Sequence, residues 1–380
     1  MRIGIFTDTY IPQINGVTTV VSLLFRELQE LGHEPLVFAR GYPGLDHEVE
    51  EGKGIYRFPS FTFPFHRESR VTIPVNRWAY RRLPELEIVH SHTPFSLGLL
   101  AMWATRELDI PHIHSYHTLF TEYRYYHYLP RPIRPSRWMA ERASAAFCNR
   151  CDCVITPTEK IKQELKGYGI ERPIFSLPFG VDIREFEKEL EWDVRRELNL
   201  SADDPLLLHA GRLAKEKNIP FLLRAFRRIL AERKAWLVIT SGGPERERLE
   251  RYVAEIGIRD RVIFTGYLDR GDLVGLYKEA DLFLLASKTE TQGIVLVEAM
   301  AAGTPVVAIG AMGVLDVVRD GETGILVGED GEEYAKAVLD LLEDKDRLMV
   351  MGAKAKEYAY STSAQNSAKR LLEIYQRTLC

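Results

Sequence analysis

Long hydrophobic runs are missing from this 380-residue chain. No window approaches the run of about 18 apolar residues that a spanning helix needs, which excludes a helical integral membrane protein. Cysteine is scarce: there are four, three of them crowded at Cys148, Cys151 and Cys153. No fourth metal ligand stands beside them, and Cys151-Asp152-Cys153 runs into the apolar Val154-Ile155. Buried, reduced thiols are therefore expected, with metal the lesser reading. Asn and Gln are equally sparse at six each, against 50 Lys+Arg and 54 Asp+Glu, a weak mark of a heat-adapted source. Excess positive charge is lacking too. A formal net charge of −4 does not suit a protein built to coat nucleic acid, and no nucleic-acid partner is expected. A leader is not evident: MRIGIFTD reads as a first core strand, so a cytoplasmic location is expected. Gly-x-Gly-x-x-Gly is absent, which disfavours a dinucleotide-binding dehydrogenase. No convincing Asp-x-Asp metal motif appears in the C-terminal half, where Asp269-Arg-Gly-Asp272 reads as a turn and helix cap, and no glycosidase-type acid couple appears either.

What is present is an alternation of short β-branched runs and amphipathic helical stretches. Arg2–Thr7 reads as a strand. The stretch 16–31 carries Val17, Val20, Val21, Leu24, Leu28 and Leu31 at helical spacing, Gly32 ends it, and 35–39 is the next strand. Segments 88–92, 111–116 and 153–156 continue the series. It restarts with strands at 206–210, 236–241, 262–265, 282–286 and 305–308, separated by helices. Alternating strands and helices imply parallel sheets covered on both faces. The acidic, interrupted stretch 178–201 reads as the linker. The expected organisation is a domain over 1–177, a second over 178–363, and a last helix over 364–380 that packs back on the first. Two doubly wound sheets bind ligands at the C-terminal ends of their strands, an outline shared with dehydrogenases and two-lobed binding proteins.

The strongest chemical signal is Ser287-Lys-Thr-Glu290-Thr-Gln-Gly293-Ile294-Val295-Leu296-Val-Glu298, which follows an apolar strand and turns into a helix at Gly293. Glu290 lies in the loop and Glu298 about one turn inside the helix, so both can face one pocket. The amides of Gly293, Ile294, Val295 and Leu296 open a helix, whose N-terminus carries roughly half a positive charge and favours an anion. A phosphate seat flanked by two carboxylates suits a sugar nucleotide; a capped surface helix with solvated acids is the plain alternative. Nine of the ten histidines precede residue 128. His90/His92 and His112/His114 alternate at strand spacing, which argues for core positions and against a metal site. His117 differs, because it stands at the C-terminal end of its strand.

The spacing Glu290-x7-Glu298, followed by Ala-Met-Ala-Ala-Gly-Thr-Pro-Val-Val-Ala, resembles the signature of family 4 retaining glycosyltransferases with the GT-B fold, two Rossmann-like domains facing each other across a cleft. The likeness covers nearly the whole chain. It implies that Glu290 holds the transferred sugar and Glu298 the ribose. Gly211-Arg212-x4-Lys217-Asn218 is similar to the segment that takes the donor diphosphate, and cations there would offset charge on the leaving group. Ser115-Tyr-His117-Thr resembles the segment with the histidine beside the sugar. Asn15-Gly16-Val17 resembles a glycine loop approaching the diphosphate and acceptor. Gly242-Gly243-Pro244 resembles a turn at the nucleotide, and Phe264-Thr-Gly-Tyr-Leu268 a segment whose backbone reads the base. The implied chemistry is same-face, metal-independent hexosyl transfer from a nucleotide sugar, with no cofactor.

Thr7-Asp-Thr-Tyr10, His92-Thr-Pro-Phe95 and Tyr116-His117-Thr-x-Phe look most like bacterial diacylglycerol α-glucosyltransferases, which implies UDP-glucose and a lipid acceptor. Composition points the same way. From 57 to 82 there are six Arg against one Glu, interleaved with Phe58, Phe61, Phe63, Phe65 and Trp78. A second island, 124–150, again has six Arg against Glu141, among Tyr123, Tyr125, Tyr126, Tyr128 and Trp138. Such interleaving suits an anionic membrane surface, giving peripheral association with the inner face of the cell membrane. A soluble or phosphoinositol-type acceptor is the alternative.

Overall fold

The computed structural model describes residues 1–45, 50, 52–63, 66–125, 136–189, 192–201 and 203–379, with 63, 66–69 and 123–125 described by their backbone alone. Two compact units emerge: Met1–Phe179 with Ala364–Cys380, and Gly180–Ser363.

The first unit is built on a seven-stranded parallel sheet. Its strands are β1 (Arg2–Thr7), β2 (Glu34–Arg40), β3 (Ile55–Phe58), β6 (Ile88–Ser91), β7 (His112–Ser115), β8 (Cys153–Thr156) and β9 (Ile174–Ser176), in the order β3-β2-β1-β6-β7-β8-β9. A small antiparallel ribbon, β4 (Ser60–Phe63) and β5 (His66–Thr72), stands apart. The central strands are buried along nearly their whole length because helices cover both faces. On one face, Val21, Leu24 and Leu28 of helix Gly16–Glu30 meet Leu371, Ile374 and Tyr375 of the last helix, Ala364–Leu379. On the other, Leu97, Leu100 and Ala104 of helix Ser96–Leu108 pack on Phe6, Phe38 and Phe58. The chain reverses its direction of travel between β1 and β6, so the loops leaving those two strands flank the switch point.

The second unit repeats the scheme with β10 (Leu206–Ala210), β11 (Trp236–Thr240), β12 (Val262–Gly266), β13 (Leu282–Leu285), β14 (Val306–Ile309) and β15 (Gly324–Val327), all parallel, in the order β12-β11-β10-β13-β14-β15. Its switch point lies between β10 and β13. Helices Ile219–Glu232 and Gly331–Glu343 bury Phe226, Ile229, Tyr334 and Val338 on one face. Helices Arg270–Glu279, Ile294–Ala302 and Lys345–Ser361 bury Tyr277, Met300 and Ala355 on the other.

The expected linker over 178–201 is largely folded instead. Short helices Ile183–Glu187 and Val194–Glu197 are capped by Asp182 and Asp193, and they insert Phe186 and Val194 into the core of the second unit. Two aspartate caps and one apolar residue per turn suffice to tie an acidic stretch down. Among the described residues no helix is long and apolar enough to cross a membrane.

Candidate functional site

In the second unit the switch point brings two loops together. After β10 the chain runs through Gly211 and Arg212 into a single 3-10 turn, Lys215–Lys217. After β13 it runs through Ser287 to Glu290. Lys217 Nζ donates to Glu290 Oε1 at 2.6 Å, with both side chains mostly buried. Burial pushes the Glu290 carboxyl up, but the Lys217 ammonium beside it, helped by Ser287, outweighs burial and holds it below the usual carboxylate value. Arg212 is half-buried in the same loop. The Glu290 carbonyl accepts from the Gly313 N–H at 2.9 Å, so a loop beyond β14 fixes the acid from behind.

Gly293 adopts φ +77, where only glycine is unstrained, and opens helix Ile294–Ala302 without a side-chain cap. The amides of Ile294 and Val295 are thus left to a ligand or water, while the Leu296 N–H already donates to the Gly293 carbonyl at 2.8 Å. Leu296 is buried, whereas Ile294 and Val295 are half-buried. Glu298 is buried one turn in. Its Oε1 accepts from the Arg270 guanidinium at 2.5 Å and its Oε2 from the Tyr277 hydroxyl at 2.9 Å. Arg270 also binds Glu185 at 2.7 Å. Burial and the Glu298 charge together hold the Tyr277 phenol far above its ordinary value, keeping it a donor. The two acids of the motif therefore have separate partners, Lys217 for one and Arg270 with Tyr277 for the other.

Gly243, expected at the nucleotide, faces the Arg212 loop. A Cβ there would lie 2.4 Å from the Leu213 carbonyl oxygen, and Leu213 exchanges backbone hydrogen bonds with Gly242 and Glu245. Its visible role is to let the turn after β11 brace the Arg212 loop. Leu268 is half-buried against the core, next to the exposed Tyr267. Asp269 caps helix Arg270–Glu279, accepting from the Asp272 N–H at 2.9 Å.

In the first unit, Gly16 is exposed at the head of helix Gly16–Glu30, whose cap is Asn15. Asn15 donates to Thr9 at 2.7 Å, and Thr9 to Gln13 at 3.0 Å, which holds the loop leaving β1. Asp8 ties that loop to the one leaving β6 by accepting from Thr93 at 2.9 Å and from the Leu97 N–H at 3.1 Å. His117 lies just beyond β7. Its Nε2 is 2.9 Å from His92 Nδ1, and its ring stacks on Phe179 with centroids 4.5 Å apart. Burial pushes His117 down to about 3, so it is neutral at physiological pH.

His90, His92, His112 and His114 are core residues, as their strand spacing indicated: His90 meets Tyr375 and Ser115 at 2.6 and 2.7 Å, and Ser91 meets both His112 and His114. Cys148, Cys151 and Cys153 are buried free thiols. Sequence reasoning missed His209, Arg270 and Tyr277, whose partners are remote in the chain. His209, in β10, is close enough to feel both Lys217 and Glu290, and burial pushes it down to about 4.

The first basic island is only partly a surface. Arg57 is buried, paired with Glu50 at 2.6 Å and bonded to the Arg40 carbonyl. Phe58 is buried in the core. Among the described side chains, what remains exposed is Phe61, the turn Ile73-Pro74-Val75, and Trp78 with Arg77 and Arg81 at 4.6 and 4.7 Å from its ring; the side chains of Phe63, Phe65 and Arg67 lie outside the described residues. Of the second island, Trp138 is exposed and Arg137 pairs with Glu141. Tyr126, Tyr128, Arg131 and Arg134 lie outside the described residues.

Residues 14–185 match the family described as Glycosyltransferase Family 4, and residues 191–358 match Glycosyl transferases group 1. The alpha-monoglucosyldiacylglycerol synthase of Streptococcus pneumoniae is 35% identical over 393 residues, covering 99% of this chain and 85% of that protein. The D-inositol 3-phosphate glycosyltransferase of Nocardia farcinica is 34% identical, covering 96% of this chain and 85% of its own length. Anabaena HepE, solved with UDP-glucose, superposes with a TM-score of 0.80 at 19% identity, over 99% of this chain and all of that one. Its likeness bears on the fold, two Rossmann-like α/β halves of GT-B type. The chain belongs to the family 4 glycosyltransferases.

Proposed function

We propose that this glycosyltransferase moves glucose, with retention, from UDP-glucose to a membrane lipid of the diacylglycerol type. The observation that carries the donor half is the Lys217–Glu290 pair at the β10/β13 switch point, beside the uncapped helix of Gly293. In this reading the diphosphate lies on the amides of Ile294 and Val295, with Arg212 and Lys217 as its cations. Glu290 accepts hydrogen bonds from the sugar hydroxyls, Glu298 from the ribose, and the backbone around Leu268 meets the base. The departing phosphate gains charge as the glycosidic bond breaks, and preorganised cations offset that charge. It then takes the proton of the acceptor hydroxyl, whose oxygen bonds the anomeric carbon on the same sugar face from which the phosphate leaves. Gly16 and His117, in the first unit, belong to the acceptor side and the sugar edge respectively.

The lipid acceptor rests on two supports. One is the Streptococcus pneumoniae relative, whose name states its diacylglycerol product. The other is the exposed set of Ile73, Val75 and Trp78 with Arg77 and Arg81 beside the Trp78 ring, apolar and cationic side chains together, suited to reversible docking on anionic lipid. The Nocardia farcinica relative favours a second reading, a soluble inositol phosphate acceptor. Incubation with UDP-glucose and GDP-mannose, each with diacylglycerol vesicles or inositol phosphate and read by mass spectrometry, decides between them. A glucosylated lipid with α configuration supports the proposal. Product only from the soluble acceptor overturns its lipid half.

A further inference from the structure

The Glu298 carboxylate is gripped from a single helix. Arg270 and Tyr277 lie two turns apart in helix Arg270–Glu279, on one face of it, and donate to different oxygens of the acid. The guanidinium reaches Oε1 at 2.5 Å and the hydroxyl reaches Oε2 at 2.9 Å. Each carboxylate oxygen can accept twice, so among the described residues each is half used. The Glu298 side chain is only 6% exposed, so the acid meets solvent at an edge and is not a solvated surface group.

The cation is itself held. Arg270 Nε donates to Glu185 Oε2 at 2.7 Å, and the guanidinium lies 5.6 Å from the centre of the Phe186 ring. Both partners belong to helix Ile183–Glu187, which Phe186 anchors in the core of the second unit. Tyr277 is wholly buried, its ring centre 6.3 Å from that of Phe186 and 5.7 Å from that of Phe283. Two acids sharing one partly buried guanidinium are weak support for a fold, because desolvation offsets most of their attraction. Apolar side chains would fill the same volume without that cost. What the arrangement does achieve is to fix one carboxylate from two sides.

We propose that Arg270 and Tyr277 are positioning residues for the nucleotide: they lock Glu298 so that the remaining lone pair of each oxygen meets one hydroxyl of the ribose cis-diol. This rests on the reading of Glu298 as the ribose acid. Lone pairs only accept, so the group they fit is a pair of adjacent donors. Arg270 acts through Glu298. Without the guanidinium the carboxylate is free to turn, or it takes up a proton as unpaired buried acids do, and either change ends the two-point grip.

Titration calorimetry on the full chain tests this with UDP and GDP, each against its 2′,3′-dideoxy form, and the base that binds more tightly is carried through the variants. The wild type should bind the ribonucleotide about ten- to a hundredfold more tightly than the dideoxy form, the range for hydrogen bonds to a charged group. Arg270→Met, which keeps the stem and removes the guanidinium, should bring that preference down to about threefold or less. The loss should fall on the ribonucleotide, with the dideoxy form bound as before. Tyr277→Phe, which frees one oxygen only, should lower the preference partway. Arg270→Lys keeps the charge but not the fork that reaches both acids, and should recover part of it. In the glucosyl-transfer assay Arg270→Met should raise donor KM more than it lowers kcat. A merely structural role would weaken both nucleotides alike, and that result overturns the proposal, as does an unchanged preference in Arg270→Met. If that variant does not fold, the same ratio in Tyr277→Phe decides. A wild type with no preference for the ribonucleotide refutes the reading of Glu298 itself; a preference present in the wild type and kept in the variants refutes the positioning role alone.

Discussion

Lowering the pH from 7.5 to 5 should open the first unit before the second. Among the described residues, burial lowers six histidines of the first unit, His33, His90, His92, His112, His114 and His117, against one of the second, His209. The sign follows from proton counts. A folded-state value below the unfolded one means that the unfolded chain binds protons first as pH falls. The stabilising contribution is complete above the unfolded value of 6.5 and is lost as pH falls toward the folded one. At pH 5 an unfolded histidine is almost fully protonated, while His112, lowered to about 4, and His117, lowered to about 3, remain largely neutral. Each then costs about 2 kcal/mol relative to pH 7.5, from 1.36 kcal/mol per unit over about 1.5 units. These two remove about 4 kcal/mol from the first unit, and His90, His92 and His114 act in the same direction. Asp8 opposes them: burial raises its carboxyl, so it favours the fold as pH falls. The second unit loses about 2 kcal/mol through His209, lowered to about 4. Domains hold roughly 5–15 kcal/mol in all, so the first unit should be near its limit at pH 5. Hydrogen exchange read by mass spectrometry, corrected for intrinsic pH dependence, resolves the two. Peptides spanning β6 and β7 should lose protection while those spanning β10 and β13 keep theirs. Equal protection of β6 and β7 at both pH values, or earlier loss in the second unit, would refute the reasoning.

Lys217→Ala should lower turnover by about 10²–10³, and it should also lower the melting temperature, because it strands the mostly buried Glu290 charge at a cost of up to roughly 3 kcal/mol. Adding Glu290→Gln should restore the melting temperature but not the activity, and calorimetry beside the transfer assay separates the two. Glu298→Gln should mainly weaken UDP binding, whereas Glu290→Gln should mainly slow transfer; equal losses of UDP affinity by titration calorimetry would contradict the assignment. Arg77→Ser with Arg81→Ser should reduce sedimentation with anionic vesicles at low salt and leave UDP-glucose hydrolysis unchanged. Each cation near such a surface contributes about 1 kcal/mol, so a double variant that binds as well as wild type excludes this patch.

How much of this could be read from the sequence depended on the distance over which each interaction acts. Apolar runs are local, and β10 and β13 were visible because a strand buried on both faces writes itself as an unbroken apolar segment. The loops that follow them were therefore placed at a switch point without knowing a single side-chain partner, and Lys217 does meet Glu290 there. Partnership itself is not local. Glu298 looked free to face a ligand because nothing within the helix answers it; its partners Arg270 and Tyr277 stand 28 and 21 residues away. Arg57 counted as surface charge because Glu50 and the Arg40 carbonyl, which neutralise and bond it, come together only when β2 and β3 pair.

The histidines combine both cases. Their alternation along β6 and β7 marked them as core, correctly, since period two is a property of the strand alone. What alternation cannot express is that β6 and β7 are neighbours, with Ser91 set against His114 and the strand ends carrying His92 and His117 within hydrogen-bond reach. A sequence reader sees separate structural histidines and one functional candidate. Pairing in the sheet turns them into one buried array, in which burial keeps the candidate neutral with its neighbours. The same array, because it is buried and neutral, is what should make the first unit acid-sensitive, so the pH experiment probes an arrangement that the separate strands do not show.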